Sequence, residues 1–141
     1  NFDDVCCILC TSGSTGIAKL VRLSYGNFYS SFINWNNEIN FKSEDRYLCC
    51  ISLYHIGGIS IVMRSLFAGF SVDLSLPFKA EEVLNKLNKS VNYISLVPTM
   101  LSKLLDKGAI NSNSLNAIIV GGSNIPSELL KKIIDYKLYF K

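Results

Sequence analysis

The chain has 141 residues, of which 49% are hydrophobic and 18% are charged, and its formal net charge is +3. This length suffices for one domain with a buried core, and so apolar a composition favours a piece of a larger buried sheet. The 14 Lys and Arg residues are scattered along the chain, so we predict no nucleic-acid partner.

No segment is predicted to span a membrane. The most apolar stretch, residues 56–72, has Arg64 near its centre and glycines at both ends, which favours a buried helix. The chain begins with Asn1 and lacks the charged and apolar regions that open a secretory signal. We therefore expect a fragment of a protein from the cytoplasm or the plastid stroma.

Apolar runs alternate with helical patterns along the chain. A strand is predicted at residues 5–10 and another apolar stretch begins at Leu20, after which Ser24 can cap a helix. Further strands are predicted at residues 46–53, 71–76, 91–97 and 117–120, and further helices at residues 58–67, 80–87, 98–107 and from 126 onwards. This alternation predicts an α/β fold around a largely parallel sheet.

The final residues suggest that the element pattern continues. Residues 138–140 are typical of the start of another strand, with only Lys141 after them. An unfinished strand would leave a sheet edge open, so we interpret Lys141 as a truncation point.

Residues 11–19 form a loop suited to binding phosphate. Hydroxyl side chains alternate with glycines and a lysine closes the run, Thr-Ser-Gly-Ser-Thr-Gly-Ile-Ala-Lys. Small residues let backbone N–H groups approach a phosphate, hydroxyls add donors, and lysine adds charge. The spacing matches neither the common P-loop nor the dinucleotide-binding fingerprint. A flexible connector that binds nothing is the alternative.

Four predicted loops follow predicted strands, namely residues 11–19, 54–58, 98–99 and 121–124. Ligands of parallel sheets bind at the carboxyl ends of the strands. We therefore expect these loops to line one edge of the sheet.

Two basic side chains are candidates for chemistry. His55, the only histidine, lies between a strand and a glycine-rich helix start, where it serves either structure or catalysis. Arg64 lies on an apolar helical segment, and a buried arginine needs an anionic partner. That partner is either a carboxylate of the protein or a carboxylate of the substrate.

The five cysteines are candidate metal ligands. Cys7 and Cys10 have ligand spacing, and Cys49 and Cys50 are adjacent. Both groups lie in apolar strand-like runs, so we expect core packing in a reducing compartment and no metal site.

Taken together, these segments resemble the adenylate-forming superfamily, which includes acyl-CoA ligases, luciferases and the adenylation domains of peptide synthetases. The loop matches at Thr11, Ser12, Gly13, Ser14, Thr15, Gly16 and Lys19. Further matches are residues 53–58 (Leu-Tyr-His-Ile-Gly-Gly), residues 95–99 (Ser-Leu-Val-Pro-Thr), and Gly121, Gly122 and Ser123. Ile17, Ala18 and Leu20 depart from the family pattern.

The resemblance implies an ATP-dependent ligase that forms an acyl-adenylate and then an acyl-CoA thioester. Its reactants would be a small carboxylic acid, ATP with Mg²⁺, and coenzyme A. Residues 54–58, 63–66 and 94–98 are most similar to the branch that ligates o-succinylbenzoate in menaquinone or phylloquinone synthesis. A fatty or aryl acid–CoA ligase and a non-catalytic nucleotide-binding remnant are the alternatives.

The resemblance also implies roles for individual residues. The seven matched loop residues would bind the ATP phosphates, and Gly121, Gly122 and Ser123 would border the adenine and acyl groups. Pro98 and Thr99 would border the substrate, Arg64 would recognise a second carboxylate of the acid, and His55 would orient the acid. Residues 1–141 would be part of the large AMP-binding domain, without the mobile C-terminal domain and its catalytic lysine. The isolated chain is therefore not expected to be catalytically competent.

Overall fold

The computed structural model describes residues 1–11, 18–110 and 113–135, except the side chains of residues 134 and 135. The predicted strand at residues 138–140 lies outside these ranges. Within them the strands are β1 (Val5–Thr11), β2 (Lys19–Ser24), β3 (Arg46–Cys49), β4 (Ser71–Leu74), β5 (Tyr93–Leu96) and β6 (Ala117–Val120). The helices are α1 (Tyr25–Ile39), α2 (Ile56–Ala68), α3 (Ala80–Ser90), α4 (Pro98–Lys107) and α5 (Ser127–Asp135).

Four strands form a parallel sheet in the order β4-β3-β5-β6. In its register, Tyr47 lies opposite both Val72 and Tyr93, and Tyr93 lies opposite Ala117. Parallel neighbours need a crossover connection, and α2, α3 and α4 supply the three that join these strands. The predicted α/β fold with a largely parallel sheet is confirmed.

The first two strands form a separate antiparallel hairpin, in which Thr11 lies opposite Lys19 and Val5 opposite Ser24. The loop at residues 11–19 follows a strand as predicted, but that strand is not part of the parallel sheet. The topology of the parallel sheet therefore brings three of the four predicted loops to one edge, and it does not place the loop at residues 11–19 there. Residues 12–18, which connect the two strands, are too few for the crossover that a parallel pair needs, so β1 and β2 pair directly.

Helices cover both faces of the sheet. One face packs aromatic and aliphatic side chains against α1 and α2, and this aromatic layer is built around Phe32, Phe41, Tyr47, Ile61, Phe70 and Tyr93. The other face packs leucine-rich helices α3, α4 and α5 against Leu48, Ile94 and Ile118. Because strand side chains alternate between faces, neighbouring residues of β3 enter different layers.

The predicted cap of α1 is present. The backbone N–H of Asn27 donates to the Ser24 Oγ over 3.3 Å, and the Ser24 N–H donates to the Asn27 Oδ1 over 2.9 Å. This reciprocal pair satisfies two donors that the first turn would otherwise leave free. The helix ends at Ile39 and is capped by Asn40, which has a left-handed backbone with φ of 57°.

The cysteine prediction is correct in part. Cys49 and Cys50 are buried on opposite faces of the sheet, as expected for core residues. Cys6 and Cys7 are half-buried and Cys10 is exposed, so core packing is wrong for Cys10. The cause is that β1 lies in a two-stranded hairpin, which leaves more of each strand uncovered.

Across the described ranges, no helix is long and apolar enough to cross a membrane.

Candidate active site

Three of the predicted segments meet at the carboxyl edge of the parallel sheet, because β3, β5 and β6 are neighbours and end there. The Cys50 Sγ lies 3.6 Å from the carbonyl oxygen of Ser95, and the Gly121 N–H donates to the Leu96 carbonyl over 3.1 Å. These contacts hold the three connections side by side. Parallel α/β sheets bind ligands at this edge, so we place the candidate site here.

His55 is exposed in the connection from β3 to α2, directly before the first helical residue. Its carbonyl accepts hydrogen bonds from the N–H groups of Gly58 and Ile59, at 3.0 and 3.1 Å, but its side chain does not cap the helix. The flanking Tyr54 and Ile56 are also exposed, at 87% and 52%. An exposed imidazole between apolar side chains is suited to contacting a ligand.

Gly58 marks the closest approach of α2 to the connection that precedes it. A Cβ at Gly58 would lie 2.6 Å from the carbonyl oxygen of Ile51, which is backbone and cannot rotate away. At Gly57 the nearest atom to such a Cβ is the Ile51 Cδ1, at 3.6 Å, an ordinary contact. The Gly-Gly pair thus contains one glycine that packing requires and one that it does not.

The turns after β5 and β6 contact each other. Pro98 is buried as the first residue of α4, while Thr99 and the run from Gly121 to Ser123 are exposed. Gly122 has a left-handed backbone with φ of +89°, and a Cβ there would lie 3.3 Å from the Val97 Cγ1. Gly122 is therefore favoured both by its backbone conformation and by the packed turn beside it.

A cleft of about 250 Å³ lies between the starts of α4 and α5, lined in part by Pro98, Thr99, Pro126 and Lys132. A larger cavity of about 660 Å³ lies mainly at the opposite, amino edge of the sheet. Arg46 lines that larger cavity and is paired with Asp73 over 3.3 Å. We assign the site to the carboxyl edge because three of the predicted segments converge there.

Arg64 is buried, with 9% of its surface exposed, and lies about two turns into α2. Its Nε is buried and makes no hydrogen bond, and no ion pair joins it to a carboxylate in the described part of the chain. A protein carboxylate, one of the two partners that the sequence leaves open, is therefore not found among these residues. Burial lowers the pKa of Arg64, and the nearby Tyr47 opposes this effect.

The Arg64 guanidinium instead lies over the ring of Trp35 on α1, with the Arg64 Cζ 5.0 Å from the ring centroid. Side chains on a helix lean towards its N-terminus, and α2 begins at the carboxyl edge of the sheet. We therefore expect the Arg64 side chain to point towards the candidate site. A buried donor without a partner costs about 1–3 kcal/mol, which an anionic ligand would recover.

Tyr47 lies near Arg64 in the same aromatic layer, and its hydroxyl is 2.7 Å from the Ser95 Oγ. Burial raises the pKa of Tyr47 to about 12, although the Ser95 hydrogen bond and the Arg64 charge each lower it. The phenol is therefore neutral at physiological pH and cannot act as the anionic partner of Arg64.

The predicted phosphate loop is described only at its two ends. Thr11 and Lys19 are exposed cross-strand partners, and the Thr11 hydroxyl donates to the Lys19 carbonyl over 3.3 Å. Ser12, Gly13, Ser14, Thr15 and Gly16 lie outside the described residues.

Sequence reasoning missed the contact between Trp35 and Arg64. Contacts between helices distant in the chain leave no periodic pattern, so the sequence does not single out Trp35. One signal was present: the residues three and four positions from Arg64 are Ser60, Ile61, Phe67 and Ala68, none of which is acidic.

Comparison with known proteins matches a model of the AMP-binding enzyme family to residues 1–136. Two relatives are the 2-succinylbenzoate–CoA ligases of Staphylococcus aureus strains JH9 and Newman. Each is 32% identical over 139 residues, which is 98% of this chain and 28% of the relative. The chain thus spans less than a third of the length of these proteins.

Two solved structures of o-succinylbenzoate CoA synthetase from Bacillus subtilis are also similar. A double mutant bound to the product analogue OSB-NCoA superposes with a TM-score of 0.93 at 31% identity, covering 99% of this chain and 29% of that one. The complex with ATP and a magnesium ion has a TM-score of 0.92 at 31% identity, covering 99% and 30%.

Proposed function

We propose that this chain, which belongs to the AMP-binding enzyme family, forms the acid- and nucleotide-binding part of an ATP-dependent acid–CoA ligase. A carboxylate oxygen of the acid attacks the α-phosphorus of ATP, giving an acyl-adenylate and releasing pyrophosphate. The coenzyme A thiolate then attacks the acyl carbon, forming the thioester and releasing AMP. The relatives and solved structures named above support this reaction, and the chain covers less than a third of each.

The acid we propose is o-succinylbenzoate, and the buried Arg64 without a carboxylate partner is the observation that carries this proposal. A dicarboxylic acid has one carboxylate to activate and a second that can pair with Arg64, directly or through a water molecule. A monocarboxylic acid would leave the guanidinium unpaired in a largely apolar layer. This substrate would place the protein in menaquinone or phylloquinone synthesis.

The other side chains have roles in holding the reactants. Lys19, with Thr11 and the loop between them, would stabilise charge on the phosphate oxygens as it develops. Gly121, Gly122 and Ser123 would border the adenine and acyl groups, with Pro98 and Thr99 beside them. His55 would orient the aromatic acid at the exposed mouth of the site. Holding acid and nucleotide in line accelerates the first step without a covalent enzyme intermediate.

Magnesium is implied by the family and by the bound state of one similar structure. Within the described ranges, no group of three or more His, Cys, Asp or Glu side chains is placed to hold a metal ion. We therefore propose that Mg²⁺ enters with the phosphate oxygens of ATP, whose charge it neutralises. No protein ligand for it is assigned.

Two alternatives remain distinct from this proposal. The exposed apolar side chains of Tyr54 and Ile56 at the mouth of the site favour a fatty or aryl acid as the second candidate substrate. A nucleotide-binding remnant would bind ATP through the same loop but release no AMP.

The compartment we propose is a reducing one, the cytoplasm or a plastid stroma. All five cysteines are free, and three of them lie in one hairpin without forming a disulfide.

The test is to incubate the full-length protein with ATP, Mg²⁺, coenzyme A and one acid at a time. AMP and acyl-CoA are quantified by liquid chromatography and mass spectrometry. We expect o-succinylbenzoate to give a kcat/KM about 100-fold above that of benzoate, which lacks the second carboxylate. Turnover of fatty acids in preference to o-succinylbenzoate would favour the second candidate, and ATP binding without AMP release would favour the remnant.

A further inference from the structure

We propose that Trp35 is a positioning residue for acid recognition, which holds the Arg64 guanidinium in place for the second carboxylate of the substrate. This proposal rests on the proposed function. Its basis is the contact between α1 and α2, in which the Arg64 Cζ lies 5.0 Å from the centroid of the Trp35 ring. Arg64 binds the acid, and Trp35 acts through Arg64.

No other described group fixes the guanidinium. Arg64 makes no ion pair with a described carboxylate, and its buried Nε has no hydrogen-bond partner there. Tyr47 is nearby, but its hydroxyl is engaged by the Ser95 Oγ at 2.7 Å. The ring face of Trp35 is therefore the contact that limits where the charge can lie.

A cation–π contact suits this purpose because it uses none of the hydrogen-bond donors of arginine. The electron-rich ring face attracts the positive charge, and the attraction strengthens where water is excluded. The N–H groups of Arg64 remain available for a carboxylate, which pairs with them in the plane of the guanidinium. A protein carboxylate in the place of Trp35 would compete with the substrate.

The Trp35 ring is itself held by packing against the aromatic layer between α1 and α2. Phe32 lies one turn before Trp35, and Phe67 lies one turn after Arg64. The rings of Phe32 and Phe67 are 5.5 Å apart, and Tyr29 adds an edge contact to Phe67 at 5.3 Å. This aromatic cluster joins α1 to α2 beside the Trp35–Arg64 pair and fixes their relative positions.

The experiment is a double-mutant cycle in the full-length protein, with KM for o-succinylbenzoate and KM for ATP as readouts. Trp35→Leu should raise KM for the acid about 10-fold and leave KM for ATP unchanged, while Trp35→Phe, which keeps an aromatic face, should raise it about threefold. Ile33→Leu, on an exposed position of α1, is the matched control and should change neither constant. In the Arg64→Ala background, Trp35→Leu should have no further effect on KM for the acid.

Independent effects of the two substitutions, or equal changes in both KM values, would overturn the proposal and leave Trp35 as a packing residue. Should Trp35→Leu fail to fold, Trp35→Phe decides by the same cycle. A wild-type protein that forms AMP with fatty acids but not with o-succinylbenzoate would overturn the proposed substrate itself. That outcome can be told apart from a failure of the Trp35 proposal, because it is measured on the wild-type protein and requires no variant.

Discussion

The hydroxyl of Tyr47 lies 2.7 Å from the Ser95 Oγ, and this hydrogen bond joins β3 to β5 inside the aromatic layer beside Arg64. Both residues are buried, and burial raises the pKa of Tyr47 from 10.0 to about 12. At a pH between these two pKa values, the Tyr47 phenol keeps its proton in the folded chain and loses it in the unfolded chain. The contribution of Tyr47 to stability is therefore complete below pH 10 and is lost as the pH rises towards 12.

The first prediction is alkaline destabilisation. Burial also raises the pKa of Cys50 from 9.0 to about 12, so both groups act in the same direction. The free energy of unfolding, measured in urea at a series of pH values, should fall by a few kcal/mol between pH 9 and pH 12.

Tyr47→Phe should be less stable near neutrality by about 1–2 kcal/mol, because Ser95 loses its partner, and its free energy of unfolding should fall less on alkalinisation. An unchanged pH slope in this variant would contradict the assignment, and Tyr54→Phe, at 87% exposure, is the control.

The second prediction concerns the charge of Arg64. Arg64→Ala should raise KM for o-succinylbenzoate about 100-fold, because the second carboxylate loses a charge-assisted partner. KM for ATP should change less than about twofold. Arg46→Ala is the matched control, since Arg46 is paired with Asp73 at the other edge of the sheet. Equal effects on both substrates, or none, would remove Arg64 from the acid site.

The third prediction concerns phosphate binding by Lys19. Lys19→Ala should raise KM for ATP about 10-fold with little change in KM for the acid, because one positive charge near the phosphates is removed. Arg22 is an exposed cation on the same strand whose side chain points to the opposite face, so Arg22→Ala should leave both constants unchanged. If the two variants behave alike, the effect is one of overall charge and Lys19 has no specific role.

The fourth prediction separates two neighbouring glycines. Gly58→Ala should destabilise the protein by about 2–4 kcal/mol, because the new methyl group would meet the Ile51 carbonyl and the start of α2 must move. Gly57→Ala, where the nearest atom is 3.6 Å away, should be neutral or slightly stabilising, since alanine favours a helix. Thermal unfolding of both variants gives the comparison. Similar melting temperatures would show that the connection adapts.

Much of the fold could be predicted because local chemistry and packing agree. Ser24 marks the start of α1 by its capping chemistry, and the apolar runs of β5 and β6 are those of strands buried on both faces. The pairing of β1 with β2 departs from the alternation of strands and helices that the sequence predicts. A hairpin is indicated only by the short connection of residues 12–18, which is too short for the crossover that parallel strands need.

The site was predictable where it is made of turns and was not where it depends on packing. His55, Pro98 and Gly121 follow strands of one sheet, and topology alone brings their connections to one edge. The environment of Arg64 depends on how α1 lies across α2, which is fixed by aromatic contacts between segments distant in the chain. Hydrophobic periodicity shows which face of each helix is buried, but not which residue of one helix meets which residue of the other.

The pairing of Thr11 with Lys19 has a consequence for the energetics of nucleotide binding. The hairpin ladder keeps the two ends of the intervening segment together before any ligand arrives. Part of the chain entropy that phosphate binding would otherwise remove is thus already lost on folding. On the proposed function, the affinity for ATP would therefore depend on backbone pairing in β1 and β2 as well as on phosphate ligands. On the same basis, a substitution that weakens the Cys10–Leu20 pair would reduce this affinity without removing a proposed phosphate ligand.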